Sequence, residues 1–122
     1  MTASPSLVVK CTSGAEAPER ASQAFTVAST ALAAGASVSM WLTGESVWFA
    51  VPGRAEEFEL PHAAALADLR DAVLAGGTLT VCTQCAARRD LTQEQLLPGV
   101  RIAGAASFVD EILRDGTQAL VY

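Results

Sequence analysis

The sequence has few basic residues, one histidine, three cysteines and no long apolar run. One lysine and seven arginines are set against 13 acidic residues, which gives a formal net charge of −5. Because a nucleic-acid backbone is bound by clustered positive charge, we expect no nucleic-acid partner. The odd number of cysteines also argues against a fold built from disulfides.

We also expect no segment in this sequence that directs a protein into or across a membrane. Its apolar stretches are interrupted by glycine, serine and threonine well before the roughly 20 residues that a membrane span needs. The first residues, Met1–Pro5, contain neither the basic nor the apolar region of a signal peptide. We therefore expect no membrane partner and a cytoplasmic, reducing location.

Apolar side chains, in contrast, are abundant. Hydrophobic residues make up 51% of the 122 positions and charged residues 17%, which is enough for one folded domain over residues 1–122. A core of this size has difficulty burying all of the large apolar side chains, so we interpret Trp48, Phe49 and Val51 as subunit contacts. A homo-oligomer is the expected state.

Strand-like and helix-like segments alternate along the chain. The predicted strands are 6–12, 36–42, 78–82, 100–103 and 117–122. The predicted helices run from Pro18 to a stop at Gly35, from His62 to Ala75 and from Ala105 to Arg114, with short turns at 85–89 and 93–97. Residues 46–60 are expected to form a short helix and a loop. The last helix is expected to point inward with Phe108, Val109, Ile112 and Leu113. The alternation predicts an α/β fold, a three-layer α/β/α sandwich with a mostly parallel five-stranded sheet.

The most informative motif is a C-x-x-C pair, Cys82 and Cys85, which ends a predicted strand and precedes Arg88 and Arg89. A helix starting here and two guanidinium groups would both favour the thiolate, which is the reactive form of cysteine. Cys82 is therefore the candidate nucleophile, supported by Arg88 and Arg89 and assisted or resolved by Cys85. The alternative is that both cysteines are packing residues, because free cysteine is often buried.

The loops after the first two predicted strands supply candidate substrate-binding residues. Parallel strands end at one edge of the sheet, so these loops are expected near the C-x-x-C pair. The candidates are Cys11, Thr12, Ser13, Gly14, Thr43 and Glu45. Backbone N–H groups in the first loop are suited to an anion or a persulfide. No nucleotide-binding motif is present, and we expect no cofactor.

Four segments, 9–14, 41–45, 81–89 and 99–105, together resemble the DsrE/DsrF-like family, also called TusD-like or YchN-like. The most specific pattern is Cys-x-x-x-Ala-x-Arg-Arg, from Cys82 to Arg89. The resemblance implies a three-layer domain, a homotrimer or homohexamer, and a sulfur relay in which Cys82 carries persulfide sulfur between a donor and an acceptor protein. The sequence departs from the relay pattern at Cys85 and at Asp90, where relays tend to have glycine.

Two other functions are compatible with these residues. One is a non-catalytic homo-oligomeric assembly module in which the cysteines only pack. The other is a zinc site made from Cys11, Cys82, Cys85 and His62. Structural zinc sites more often use two closely spaced pairs, and His62 is separated from the third strand by a predicted helix, so we expect no metal.

Overall fold

Five parallel strands form one sheet in the computed structural model, which describes residues 4–122. The strands are β1 (Ser6–Cys11), β2 (Ser37–Leu42), β3 (Thr78–Cys82), β4 (Arg101–Ala103) and β5 (Thr117–Val121). Their spatial order is β4-β3-β2-β1-β5. Each strand pairs in parallel with its neighbours, and Cys11 lies beside Leu42, which lies beside Val81. The carboxyl ends of β1, β2 and β3 therefore meet at one edge, where the predicted site residues are found.

Helices cover the two faces of the sheet unequally. The α-helices are α1 (Pro18–Ala33), α2 (Leu66–Gly76), α3 (Thr83–Arg88) and α4 (Ala105–Ile112). The chain moves one strand at a time from β1 to β4, then crosses back to β5 on the other side of β1. Because crossovers between parallel strands are right-handed, this reversal places α4 alone on the face opposite α1 and α2. The structure confirms the α/β fold with a five-stranded parallel sheet.

Alternating side chains divide the strands between the two faces. On β1, β2 and β3, the α1–α2 face carries the buried residues Val9, Cys11, Val38, Met40, Leu42, Leu79 and Val81. The intervening residues of β2 face α4: Trp41 makes an edge-on ring contact with Phe108, 5.4 Å between centroids. Cys82 has the same parity as Thr80, whose hydroxyl accepts a hydrogen bond from Arg101 on the α4 side. Cys82 therefore belongs to the face that α4 only partly covers.

The predicted helix start at His62 is wrong, since α2 begins at Leu66. His62 has a φ of 61°, a left-handed conformation that a right-handed helix excludes. Residues 44–57 contain two short 3-10 helices, Gly44–Ala50 and Ala55–Glu57, in place of one short helix. The buried Arg70 anchors this segment by donating to both carboxylate oxygens of Glu56 at 3.0 Å.

Two predictions about burial are also wrong. Phe49 is 4% exposed and packs edge-on against Phe25 and Phe58, so it is a core residue and not a subunit contact. In α4 and just after it, Val109 and Leu113 are 45% and 75% exposed, although the sequence predicted them to point inward. The sheet surface under α4 is partly polar, so α4 buries the carboxylate of Glu111 instead of an unbroken apolar stripe. Within residues 4–122, no helix has the length and apolarity to cross a membrane.

Candidate functional site

Cys82 lies at the point where β3 ends and α3 begins. Its backbone is extended, with φ −63° and ψ 128°, and the next residue, Thr83, is the first of the helix. The thiol is free and the residue is half-buried. Cys82 therefore lies where the sequence predicted it, at the end of a strand and before a helical turn.

The surroundings of Cys82 hold the pKa of its thiol below the ordinary value. Burial alone would raise the pKa, but the backbone N–H groups of Cys85 and Gln84, the Cys85 side chain and the positive charge of Lys10 together outweigh it. The N–H groups face the sulfur without forming a full capping hydrogen bond. The result is a larger thiolate fraction at neutral pH than an isolated cysteine has.

Lys10 is a site residue that the sequence analysis missed. It is the single lysine of the chain. It alternates with Cys11 on β1, so its side chain lies on the α4 face, with the ammonium 4.7 Å from the centroid of the Phe108 ring. Side chains alternate between the two faces along each strand, so the strand register shows that Lys10 and Cys82 lie on the same face of the sheet. This alternation is the signal that would have identified Lys10.

Cys85 faces the site from inside the protein. It is 8% exposed, and its sulfur accepts a hydrogen bond of 3.2 Å from the Gly44 N–H. Gly44 has a φ of 56°, and a Cβ atom there would lie 2.8 Å from the carbonyl oxygen of Thr12. Glycine is therefore required for this N–H to reach the sulfur, and Gly44 is a second residue that the sequence analysis passed over.

The two arginines after the C-x-x-C pair do not act on Cys82 in the way the sequence suggested. Arg89 donates through Nε to Glu45 at 2.8 Å and through Nη1 to the carbonyl oxygen of Cys85 at 3.0 Å. This hydrogen bond lowers the pKa of Glu45. Arg88 is exposed on the surface of α3. Neither arginine is among the groups that lower the pKa of Cys82, for which the nearby cation is Lys10.

Asp90 ends α3 with a φ of 56°, the left-handed conformation that commonly follows a helix. Its N–H donates to the Ala87 carbonyl, and the Leu91 N–H donates back to Ala86 at 2.9 Å. Aspartate tolerates this conformation better than most residues. The departure from glycine at this position therefore leaves the turn after α3 intact.

The predicted substrate-binding loops make contacts within the protein. The Thr12 hydroxyl donates to the Tyr122 carbonyl at 2.7 Å. The Gly14 N–H donates to the Glu16 carboxylate at 2.9 Å and 3.0 Å, so it is not free for an anion. The Thr43 N–H donates to the Cys11 carbonyl at 3.0 Å. These loops hold the carboxyl ends of the strands together beside the cysteines.

Cys11 lies in the core and has no access to solvent. Its thiol donates to the Ser13 carbonyl at 3.3 Å, and burial raises its pKa. The zinc alternative is not supported, because no group of three or more histidine, cysteine or acidic side chains within residues 4–122 is arranged to hold a metal ion. His62 is exposed in the loop before α2, on the face away from Cys82.

Comparisons with known proteins agree with this architecture. The model of the DsrE/DsrF-like family matches residues 6–121. No curated protein sequence matches the chain significantly. The crystal structure of the YchN protein from E. coli is similar with a TM-score of 0.79 at 13% identity, and the match covers 98% of this chain and 100% of YchN. MTH1491 from Methanobacterium thermoautotrophicum, described as a protein of unknown function, has a TM-score of 0.66 at 12% identity, covering 97% of this chain and 99% of its own.

Proposed function

We propose that this protein, which belongs to the DsrE/DsrF-like family, carries sulfur as a persulfide on Cys82. The observation that carries the proposal is the environment of this thiol. Cys82 is half-buried at the end of β3, and its pKa is held below the ordinary value despite the cost of burial. A group whose neighbours favour its charged form against burial is a candidate for chemistry.

The transfer takes place in two exchange steps at Cys82. Its thiolate attacks the outer sulfur of a donor persulfide, a bond forms between the Cys82 sulfur and that atom, and the donor leaves as a thiolate. An acceptor thiolate then attacks the same outer sulfur, and Cys82 leaves as a thiolate. Sulfur moves at its original oxidation level, so neither step needs an external oxidant or reductant.

The other site residues have supporting roles in this proposal. Lys10 favours the charged state of Cys82 in each step. Arg89 ties the first turn of α3 to Glu45 and fixes the direction of the turn that carries both cysteines. Arg88 is exposed in the last turn of α3, where it could contact an acidic donor or acceptor protein.

A homo-oligomer is part of the proposal. Among the described residues, the large apolar side chains that stay exposed belong to α4, β5 or the turn between them: Val109, Leu113, Leu120 and Val121. Exposed apolar groups on adjoining elements of a small domain favour a subunit interface. The same observation supports the alternative of a non-catalytic assembly module, in which Cys82 would have no acceptor.

The test is the intact mass of the protein after brief incubation with inorganic polysulfide. The informative pair is Cys85→Ser and the double variant Cys82→Ser/Cys85→Ser, because neither contains a second thiol beside position 82. We expect the single variant to gain one sulfur atom, mapped to the peptide containing Cys82, and the double variant to gain none. Equal loading of both proteins would contradict the proposal and favour the assembly module.

A further inference from the structure

The two thiols of the C-x-x-C pair differ in access to solvent. Cys82 is half-buried and open to reagents at the end of β3, whereas Cys85 is 8% exposed. The Cys85 side chain nevertheless lies close enough to be one of the groups that lower the pKa of the Cys82 thiol. Both thiols are free. An external thiol therefore reaches Cys82 more readily than Cys85, while Cys85 reaches Cys82 from within.

The backbone places the two cysteines in one turn at the start of α3. Cys82 precedes the first residue of α3 and Cys85 is the third residue of that helix. Residues three apart on a helix have Cβ atoms about 5–6 Å apart, and a disulfide needs about 3.5–4.5 Å. Closing the disulfide therefore requires the two Cβ atoms to approach by about 1–2 Å, at the junction of β3 and α3.

The Gly44 N–H gives Cys85 a feature that a packing cysteine does not need. It donates to the Cys85 sulfur at 3.2 Å from a loop that belongs to neither β3 nor α3. The loop is fixed, because Gly44 has φ 56° and no room for a Cβ atom against the Thr12 carbonyl. This hydrogen bond fixes the position of the Cys85 sulfur beside the turn that carries Cys82.

We propose that Cys85 is a resolving thiol, which attacks a persulfide on Cys82, releases hydrogen sulfide and closes a Cys82–Cys85 disulfide when no acceptor is bound. The proposal rests on the sulfur-carrying role of Cys82. It makes the protein a source of sulfide as well as a carrier. It also assigns a function to the cysteine by which the sequence departs from the relay pattern.

The reaction balances without a further reagent. The Cys85 thiolate attacks the inner sulfur, that of Cys82, and a bond forms between the two cysteine sulfurs. The bond from the inner to the outer sulfur breaks, and the outer atom leaves as hydrosulfide, which takes up the proton that Cys85 released. Cys85 is oxidised and the outer sulfur is reduced to sulfide. A dithiol reductant returns the disulfide to two thiols for another cycle.

The experiment follows sulfide release from protein loaded with inorganic polysulfide, freed of excess reagent and kept without added thiol. We expect wild type to release one sulfide per loaded chain. Its final intact mass should be lower than that of the reduced protein by two hydrogens, because a disulfide has formed. Because the attacking thiol is held beside its target, Cys85→Ser and Cys85→Ala should release sulfide at least about tenfold more slowly. The Cys11→Ala variant is the matched control, since it removes a different buried thiol and leaves both cysteines of the C-x-x-C pair, and it should release sulfide at the wild-type rate.

Each outcome has a distinct meaning. If both Cys85 variants release sulfide at the wild-type rate, Cys85 is not the resolving thiol, but Cys82 can still be the carrier. The same conclusion follows if wild type releases sulfide without losing two hydrogens. Failure of Cys85→Ser to hold any sulfur on Cys82 overturns the carrier role and the inference with it. Circular dichroism of each variant confirms that the fold is retained, and the pair of substitutions guards against a packing defect specific to one of them.

Discussion

At the scale of single residues, Lys10 and Cys11 show how strand parity assigns chemistry. They are adjacent on β1, yet Cys11 is buried under α1 and α2 whereas the Lys10 ammonium lies over Phe108 on the α4 face. Lys10 and Cys82 thus share a face although β2 separates their strands. The cation that favours the Cys82 thiolate comes from the far end of the sequence, not from the arginines that follow it.

Replacing Lys10 tests this assignment through the pH dependence of alkylation at Cys82. The lowered pKa means that wild-type Cys82 stays ionised to lower pH than an ordinary cysteine. Lys10→Gln removes a favourable charge, so the pKa rises and the midpoint of the profile moves to higher pH. A solvent-screened charge such as that of Lys10 stabilises a nearby thiolate by less than about 1 kcal/mol. Alkylation of Cys82 near neutral pH should therefore slow about two- to threefold in the variant. The measurement is iodoacetamide labelling followed by peptide mapping.

Arg20→Gln is the control for the Lys10 substitution. It also removes one positive charge, but Arg20 is exposed on α1, on the opposite face of the sheet from Lys10. Its alkylation profile should match that of wild type. Equal shifts in the two variants would mean that net charge, and not the position of Lys10, sets the reactivity of Cys82.

At the scale of elements, α4 is held to the sheet by a buried carboxylate. Glu111 accepts hydrogen bonds from the Ser39 hydroxyl, from the Trp41 indole at 3.2 Å, and from Arg101 at 2.6 Å. Burial alone would raise the pKa of Glu111, but these donors outweigh it and hold the pKa below its ordinary value. The network joins α4 to β2 and β4, next to the strand that carries Cys82.

Glu111 should make the stability of the protein depend on acid pH. Because its pKa is lowered in the folded state, its contribution is fully present above the unfolded value of about 4.3 and is lost as the pH falls through the folded pKa. Glu111→Gln should lower the free energy of unfolding at pH 7 by about 1–3 kcal/mol, since one partner of a largely buried network is removed. The loss on acidification should be smaller in the variant. Urea unfolding at neutral and acid pH measures both.

Asp110→Asn is the comparison for Glu111→Gln. Asp110 is the preceding residue of α4 and pairs with Arg114 at 2.8 Å on the surface, where both side chains are more than half exposed. An exposed pair one turn apart contributes at most about 0.5 kcal/mol, so this variant should unfold like wild type at neutral pH. A cost equal to that of Glu111→Gln would show that the buried network does not hold α4.

The sequence predicted the order of elements well, and the reason is their strong local patterns. All five strands and the long helices lie close to their predicted positions, because alternation and helical periodicity are local properties. The inward face of α4 was mispredicted because Glu111 is buried by partners on β2 and β4, which no local pattern reveals. At the candidate site, the position of Cys82 at a strand end was predicted from its motif, but Lys10 and Gly44 act across strands and depend on register.

At the scale of the whole molecule, the crossover to β5 leaves one end of the domain sparsely covered. β5 is an edge strand, and Leu120 and Val121 on it are 41% and 63% exposed. Leu113, just after α4, is 75% exposed. An edge strand with exposed apolar groups invites pairing with another chain, which in a native protein is met by a specific interface.

We expect Leu113→Asp to weaken or abolish the proposed homo-oligomer, because it places a charge in the apolar contact. Size-exclusion chromatography with light scattering should show wild type as an oligomer and the variant as a smaller species at the same concentration. Ala63→Asp is the control, since Ala63 is exposed in the loop before α2, on the opposite face of the sheet from α4. If Leu113→Asp kept the wild-type mass, the interface would lie elsewhere.

The burial of Cys11 has a practical consequence for every labelling experiment on this protein. Its sulfur has no exposed surface, so it takes up an alkylating reagent only when β1 separates from α1, which requires a large part of the molecule to open. The labelling rate of residue 82 therefore reports the reactivity of the folded protein, whereas the labelling rate of residue 11 reports how often the protein opens. If a reagent labels both cysteines at the same rate, the protein has unfolded under the conditions of the experiment.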